Sequence, residues 1–193
     1  MFYNKQPVSE SLLFVTIVDN TQSQHNRFIA HYHEHKDKLF NYLMARLNFD
    51  RQQSEDLLMD VVLKAYEKFH TFDPEKGAFQ TWIFTLAHNH LVNFWRSNKK
   101  LVSLDELDEK GIYPATAKSC EQVSRQLETQ KIHHILSLMK EGEREIITLR
   151  YLQDLDYAEI AQITGKKEGA IRTGLSRALS RFTELYHKIY SSS

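Results

Sequence analysis

The chain has 193 residues, 41% of them hydrophobic, enough to fold around a core and unlike a disordered tail. Its 25 Lys and Arg balance 25 Asp and Glu, a neutrality that at first sight argues against a nucleic-acid binder. Six Gly and three Pro disfavour a turn-dense β-protein, and a single Cys excludes an internal disulfide or a thiolate zinc cluster.

Residues 1–23 read as a tail, with a tail or short strand-like arm over residues 1–22. Its longest apolar run, Leu12 to Val18, is far below the roughly 20 residues of a membrane span, and no secretory cleavage pattern follows. From about His25 to Leu47, Phe28, Ile29, Tyr32, Leu39, Tyr42, Leu43 and Leu47 recur at three- and four-residue steps, which predicts an amphipathic helix. A second helix is expected behind a Ser54 cap, with Leu57, Leu58, Val61, Val62, Ala65, Tyr66 and Phe69 as its inner stripe. The run Asp73-Pro74-Glu75-Lys76-Gly77 predicts a turn, and a third helix follows over about Phe79 to Asn98. Residues 24–100 thus form one helical domain.

Residues 101–126 carry Asp105, Glu106, Asp108, Glu109, Gly111 and Pro114 without a sustained apolar period, and read as a flexible linker. Helical periodicity resumes near Leu127, opening a second domain over 127–193. The fold class is therefore all-α, two small helical domains joined by a linker. Asp156-Tyr157-Ala158-Glu159 has the spacing of a capping box, with Asp in place of Ser or Thr, and Gly165 suits the left-handed residue that closes a short helix. A longer helix runs from about Glu168 to Ile189 with Ile171, Leu175, Leu179, Phe182 and Leu185 inward. Helix, tight turn and longer helix is the helix-turn-helix plan. Six cations against two carboxylates give residues 166–188 a net +4, and Arg172, Thr173, Ser176 and Arg177 face away from the apolar stripe. That pattern alone also fits a helical hairpin with a solvated basic face.

The third helix combines Phe79, Trp82, Phe84, Phe94 and Trp95 with Arg96, Lys99 and Lys100, a set of stacking platforms beside cations that suits single-stranded nucleic acid; core packing competes for the same rings. The second helix carries Glu55, Asp56, Asp60 and Glu67 and suits a basic protein surface instead.

In order and spacing these blocks resemble the extracytoplasmic-function (ECF) group of the bacterial sigma-70 family. Residues 54–66 resemble its region 2.2, Gly77 to Ile83 with Leu86-Ala87-His88-Asn89 resemble regions 2.3 and 2.4, and Leu149-Arg150-Tyr151, residues 156–161 and residues 168–172 resemble region 4. The resemblance implies a sigma factor that binds core RNA polymerase, directs it to promoters and helps open the DNA, with no catalytic residue, cofactor or metal. It implies that Glu55, Asp56 and Asp60 dock on the clamp of the largest polymerase subunit. Phe72, Phe79, Trp82, His88, Asn89, Arg96, Lys99 and Lys100 would meet the minus-ten element as a melted strand with a flipped base. Lys167, Arg172, Thr173, Ser176, Arg177 and Arg181 would read the minus-thirty-five element as duplex. The polymerase flap, promoter DNA and an anti-sigma factor are the further partners, with no direct membrane insertion, in the cytoplasm.

The chain departs from the family pattern in places. Met59 stands where Gln is common and Lys140 where Pro often opens a helix. At the recognition helix Lys166 replaces an apolar residue, Lys167 a Ser or Thr cap, and Gly174 a basic residue; the lost cap and the internal Gly are each expected to cost about 1 kcal/mol. Set aside as chemistry are His31 and His35 on one face, His88 and His90 beside Asn89, the pair His133-His134, and the lone thiol of Cys120. Two rivals remain: a stand-alone helix-turn-helix regulator binding a palindrome as a dimer, and a helical adaptor with protein partners only. By segment the neutrality dissolves: +2 over residues 24–100, −2 over 101–126, −3 over 127–165 and +4 beyond. So weak an overall positive field predicts poor promoter binding until polymerase adds contacts.

Overall fold

A computed structural model describes the backbone of residues 10–98 and 120–191, and side-chain surroundings over 22–97 and 127–191. Helix α1 spans Glu10–Arg46, α2 Arg51–Lys68, α3 Phe79–Asn98, α4 Cys120–Leu138, α5 Glu141–Ile147, α6 Tyr157–Thr164 and α7 Glu168–Tyr190. A short 3-10 turn, Phe69–Thr71, ends α2, and a wide turn, Thr148–Leu152, follows α5.

Two boundaries differ from the sequence reading. Helix α1 begins at Glu10, inside the stretch read as a tail or strand-like arm, because Pro7 precedes it and no Gly or Pro interrupts residues 10–46. Helix α4 begins at Cys120, inside the linker, so the chain resumes its helix before its apolar period becomes visible. A third correction concerns a cap. Asp50, not Ser54, opens α2: its carboxylate accepts from Gln53 N at 3.0 Å, while buried Ser54 donates its hydroxyl to Asp50 O. Asn48 and Phe49, both at positive φ, make the corner between α1 and α2. For a non-Gly residue this conformation costs about 1–3 kcal/mol. The corner sets the Phe49 ring flat on His133 of α4, centroids 4.0 Å apart.

Helices α1 to α3 close around Phe28, Leu39, Leu43, Leu57, Val61, Ala65, Ile83, Phe84 and Leu91, all buried. Each large aliphatic side chain so placed contributes about 1.5–3 kcal/mol. Helices α4 to α7 bury Ile135, Leu136, Ile146, Leu149, Ile160, Ile163, Ile171 and Leu175. The expected capping box is present on α6: Asp156 accepts from Glu159 N at 2.8 Å and Glu159 Oε2 accepts from Asp156 N at 2.9 Å. Gly165 takes φ 68° and closes that helix. Lys167 caps α7 without a side-chain bond, as its chemistry predicts. Gly174 has a packing reason: a Cβ there would lie 3.0 Å from the Ile146 methyl of α5.

The two halves share a seam. Arg144 of α5 donates to Ala45 O and to the Asn48 side chain in the first half, and to Ser137 O and Met139 O in its own. Burial, then the charge of Arg46, lowers its guanidinium pKa to about 10. Helix α6 lies along α3, where Thr81 donates to Glu159 Oε1 at 3.1 Å and Gln80 donates to Gln153 O at 3.0 Å.

Candidate polymerase and promoter interfaces

The acidic face of α2 is open. Asp60 is exposed and lies 3.4 Å from His90 Nε2; Lys64 donates to His90 Nδ1 at 2.8 Å, which leaves the ring proton on Nε2, facing the carboxylate. Asp56 accepts from Gln52, and Glu55 pairs with Arg51 at 2.7 Å. Beside these carboxylates stand Met59, 74% exposed, Leu63 and Tyr66. The apolar periodicity places Tyr66 inward, but it is exposed, and the four- and three-residue steps from 59 to 63 to 66 mark a single open face that the sequence pattern does not reveal. Apolar side chains left in water beside carboxylates suit a protein partner that is itself basic and partly apolar.

The 72–79 loop is built on an aromatic cluster. Phe69, Phe72, Phe79 and Trp82 meet at centroid distances of 5.4 to 6.3 Å. Phe79 is buried and stacked on His31, so it supports the loop and offers no open stacking face, contrary to its expected role. His35, one turn further along α1, donates from Nδ1 to His31 O at 2.8 Å and also packs on Phe79. Phe84 is likewise core. Phe72 and Trp82 remain half-buried and line a cavity of about 210 Å³ with Thr71, Asp73, Lys76 and Gln162. Lys76, with the Glu75 amide, holds the Asp73 carboxyl below its ordinary value and fixes the turn. Gln162 belongs to α6 and brings the second half to the cavity's edge.

Asn89 and Arg96 are exposed on α3. Lys99 and Lys100 lie outside the described residues. His88 faces the seam, donating from Nδ1 to Glu145 Oε1 at 2.7 Å. Tyr42 donates to the same oxygen at 2.9 Å, and Arg46 lies 3.4 Å from it while also pairing with Glu141 at 3.1 Å. Arg46 stacks over Trp95 at 4.7 Å. Burial alone would raise the Glu145 carboxyl, but the His88 hydrogen bond, the Arg46 charge and the Tyr42 hydroxyl outweigh it and hold it below its ordinary value. Burial, with the nearby Glu145 charge, pushes the Tyr42 hydroxyl well up.

On α7 the expected face is open: Lys167, Arg172, Thr173, Ser176, Arg177 and Arg181 are all exposed. Arg172 pairs with Glu168 and lies 4.2 Å over Tyr157, which pre-orders its guanidinium. Thr173 donates to Gly169 O, and Arg181 pairs with Glu184 at 2.9 Å. Behind this helix Ile132, Leu136, Ile147, Leu152, Leu179 and Phe182 line an apolar groove of about 480 Å³. Its inner rings were visible in the sequence as core, but not that the core stays open on one side. No helix among the described residues is long and apolar enough to cross a membrane, and none of their His, Cys, Asp and Glu side chains form a metal-binding group.

A three-helix half whose second helix carries an exposed acidic face, joined to a helix-turn-helix half, is the architecture of a bacterial transcription initiation factor. The chain matches the family descriptions "Sigma-70 region 2" over residues 31–101 and "Sigma-70, region 4" over residues 129–182. It is 28% identical over 148 residues to RNA polymerase sigma factor YlaC of Bacillus subtilis, covering 76% of this chain and 84% of that one. It is 27% identical over 158 residues to ECF RNA polymerase sigma factor SigM of the same organism, covering 81% and 93%. Its fold resembles that of the sigma factor RpoE in complex with the anti-sigma factor NepR from Bartonella quintana, with TM-score 0.66 and 23% identity, covering 89% of this chain and 98% of that one. The chain belongs to the ECF group of the sigma-70 family, the RNA polymerase sigma factors that direct core polymerase to promoters.

Proposed function

We propose that three surfaces divide the work of initiation. The α2 face with Glu55, Asp56 and Asp60, extended by Met59, Leu63 and Tyr66, docks on the polymerase clamp. The 72–79 loop, with Phe72, Trp82, His88, Asn89 and Arg96, takes the melted minus-ten strand, a base entering the cavity beside Trp82 at the cost of its stacking. The exposed face of α7 reads the minus-thirty-five duplex, with Arg172 and Arg177 to base edges and Lys167 and Arg181 to phosphates. The apolar groove behind α7 suits an amphipathic helix, as the flap would supply. The protein acts in the cytoplasm and has no catalysis of its own, and an anti-sigma factor is a partner, as NepR is for the Bartonella protein.

The observation that carries this reading is the separation of chemistry: an acidic, apolar face on α2 and a basic, polar face on α7, both exposed in one chain. A stand-alone duplex-binding regulator has no use for the first. Run-off transcription with core polymerase on a library of the host's promoters tests the assignment. Promoter-specific transcripts that require the added protein are expected; none, where a control sigma factor works, would sink it.

A further inference from the structure

We propose that Glu145 is an interdomain clasp that, in the free chain, holds α6 over the cavity of the 72–79 loop and is released before that cavity takes a base. The masking of a base site rests on the functional reading above; the clasp itself does not. Glu145 sits on α5, yet every partner of its carboxylate among the described residues comes from the other half: Tyr42 and Arg46 of α1, and His88 of α3. Packing within α4 to α7 gives this buried carboxylate no hydrogen-bond partner there. Separated halves would return it to water, so it has two satisfied states, closed and solvated, and no satisfied half-way state.

The closed state also carries a burden. The Arg46 Nε, the Thr148 hydroxyl and both polar atoms of the Gln153 amide are buried with no hydrogen-bond partner among the described residues. Arg46 and Gln153 belong to the seam and Thr148 lies beside it. Opening rehydrates such groups and repays part of the lost pairing, the condition for a seam that switches instead of fusing. The consequence falls on one surface. Gln162 of α6 lines the cavity, and Glu159 of α6 holds Thr81 at the first turn of α3. His88, expected to meet DNA, is occupied by Glu145, and one imidazole Nδ1 cannot serve both. The α2 and α7 faces stay exposed in the same closed chain.

The test uses the full chain with Cys120→Ser and spin labels at Gln52→Cys on α2 and Ser180→Cys on α7, whose pulsed dipolar distances report the two halves. Glu145→Gln keeps the shape and removes the charge; it should raise the long-distance fraction at least about fivefold, as losing a buried, hydrogen-bonded charge does. Tyr42→Phe removes one hydroxyl and should raise it about twofold, while Glu184→Gln on the exposed side of α7 should leave it unchanged. Should the first variant not fold, the second decides. A fluorescein-labelled single-stranded DNA of mixed sequence should bind the opened variants more tightly, in proportion to the opened fraction. Unchanged distances in the folded variants overturn the clasp. Opened distances with unchanged DNA affinity overturn the masking of the cavity. Neither outcome bears on promoter-directed transcription, which the run-off assay reads.

Discussion

Helices α3 and α7 both carry residues suited to DNA, but the fold treats them differently. The face of α7 is in water, its arginines ordered by Glu168, Tyr157 and Glu184. That of α3 is partly roofed by α6, with His88 and Thr81 bonded across the seam. A side chain in water needs no rearrangement of its own chain to meet duplex that polymerase brings to it. One engaged by its own chain acts only after a rearrangement, and melted strand is what appears late in initiation. The chemistry of the seam fits that difference: each half is held by aliphatic and aromatic packing, whereas the ties between them, beside the Phe49–His133 stack, include two arginines, two carboxylates, hydroxyls and an imidazole, groups that water readily solvates.

Substitutions can break this comparison at graded cost. The largest effect is expected at Arg144, which ties Ala45 and Asn48 to Ser137 and Met139. Arg144→Ala strands these acceptors and should cost about 3–5 kcal/mol, read as a drop in urea midpoint. Next is Arg177→Ala, confined to the open face: about 1–3 kcal/mol, or roughly five- to 150-fold, should be lost from duplex binding by the polymerase complex, measured by fluorescence anisotropy, with thermal stability unchanged.

A third prediction concerns the roofed face and pH. Glu145 is surrounded by Tyr42 and Arg46 of α1, His88 of α3 and, through Arg46, Glu141 of α5. Its carboxyl lies below the ordinary 4.5, so its contribution to closure is complete above that value and is lost as pH falls through the lowered one. Distances in the spin-labelled chain should lengthen on acidification in the wild type and change less in Glu145→Gln. Smaller still is Asp156→Ala, which removes the capping box and should cost about 1 kcal/mol in thermal unfolding. Smallest is Gly174→Ala: the gain in helix propensity of about 1 kcal/mol is opposed by the 3.0 Å approach to Ile146, so the net change should stay within about 1 kcal/mol.

Much of the fold was legible because local signals govern it. The bounds of α3, the capping box of α6 and the positive φ of Gly165 followed from residue type and spacing. The helical start of α1 was not legible, since Thr16, Ile17 and Val18 resemble a strand locally and only the missing breakers allow the helix to run on. The seam was invisible for a different reason. Tyr42 reads as one more core aromatic, His88 as a surface imidazole and Glu145 as one more acidic residue on a helix. Nothing in periodicity pairs residues 103 and 57 positions apart. The acidic face of α2 was found by charge, whereas its apolar companions were hidden because a helix exposed on two sides blurs its own inner stripe.

One paired measurement separates the proposed docking role of the α2 face from the proposed duplex-reading role of α7. Asp56→Lys with Asp60→Lys, and Arg177→Ala, are compared for core polymerase affinity and for binding of the resulting complex to minus-thirty-five duplex. The charge reversal should weaken core binding, and Arg177→Ala should leave core binding intact while lowering duplex binding. Equal loss of core binding in both would contradict the account.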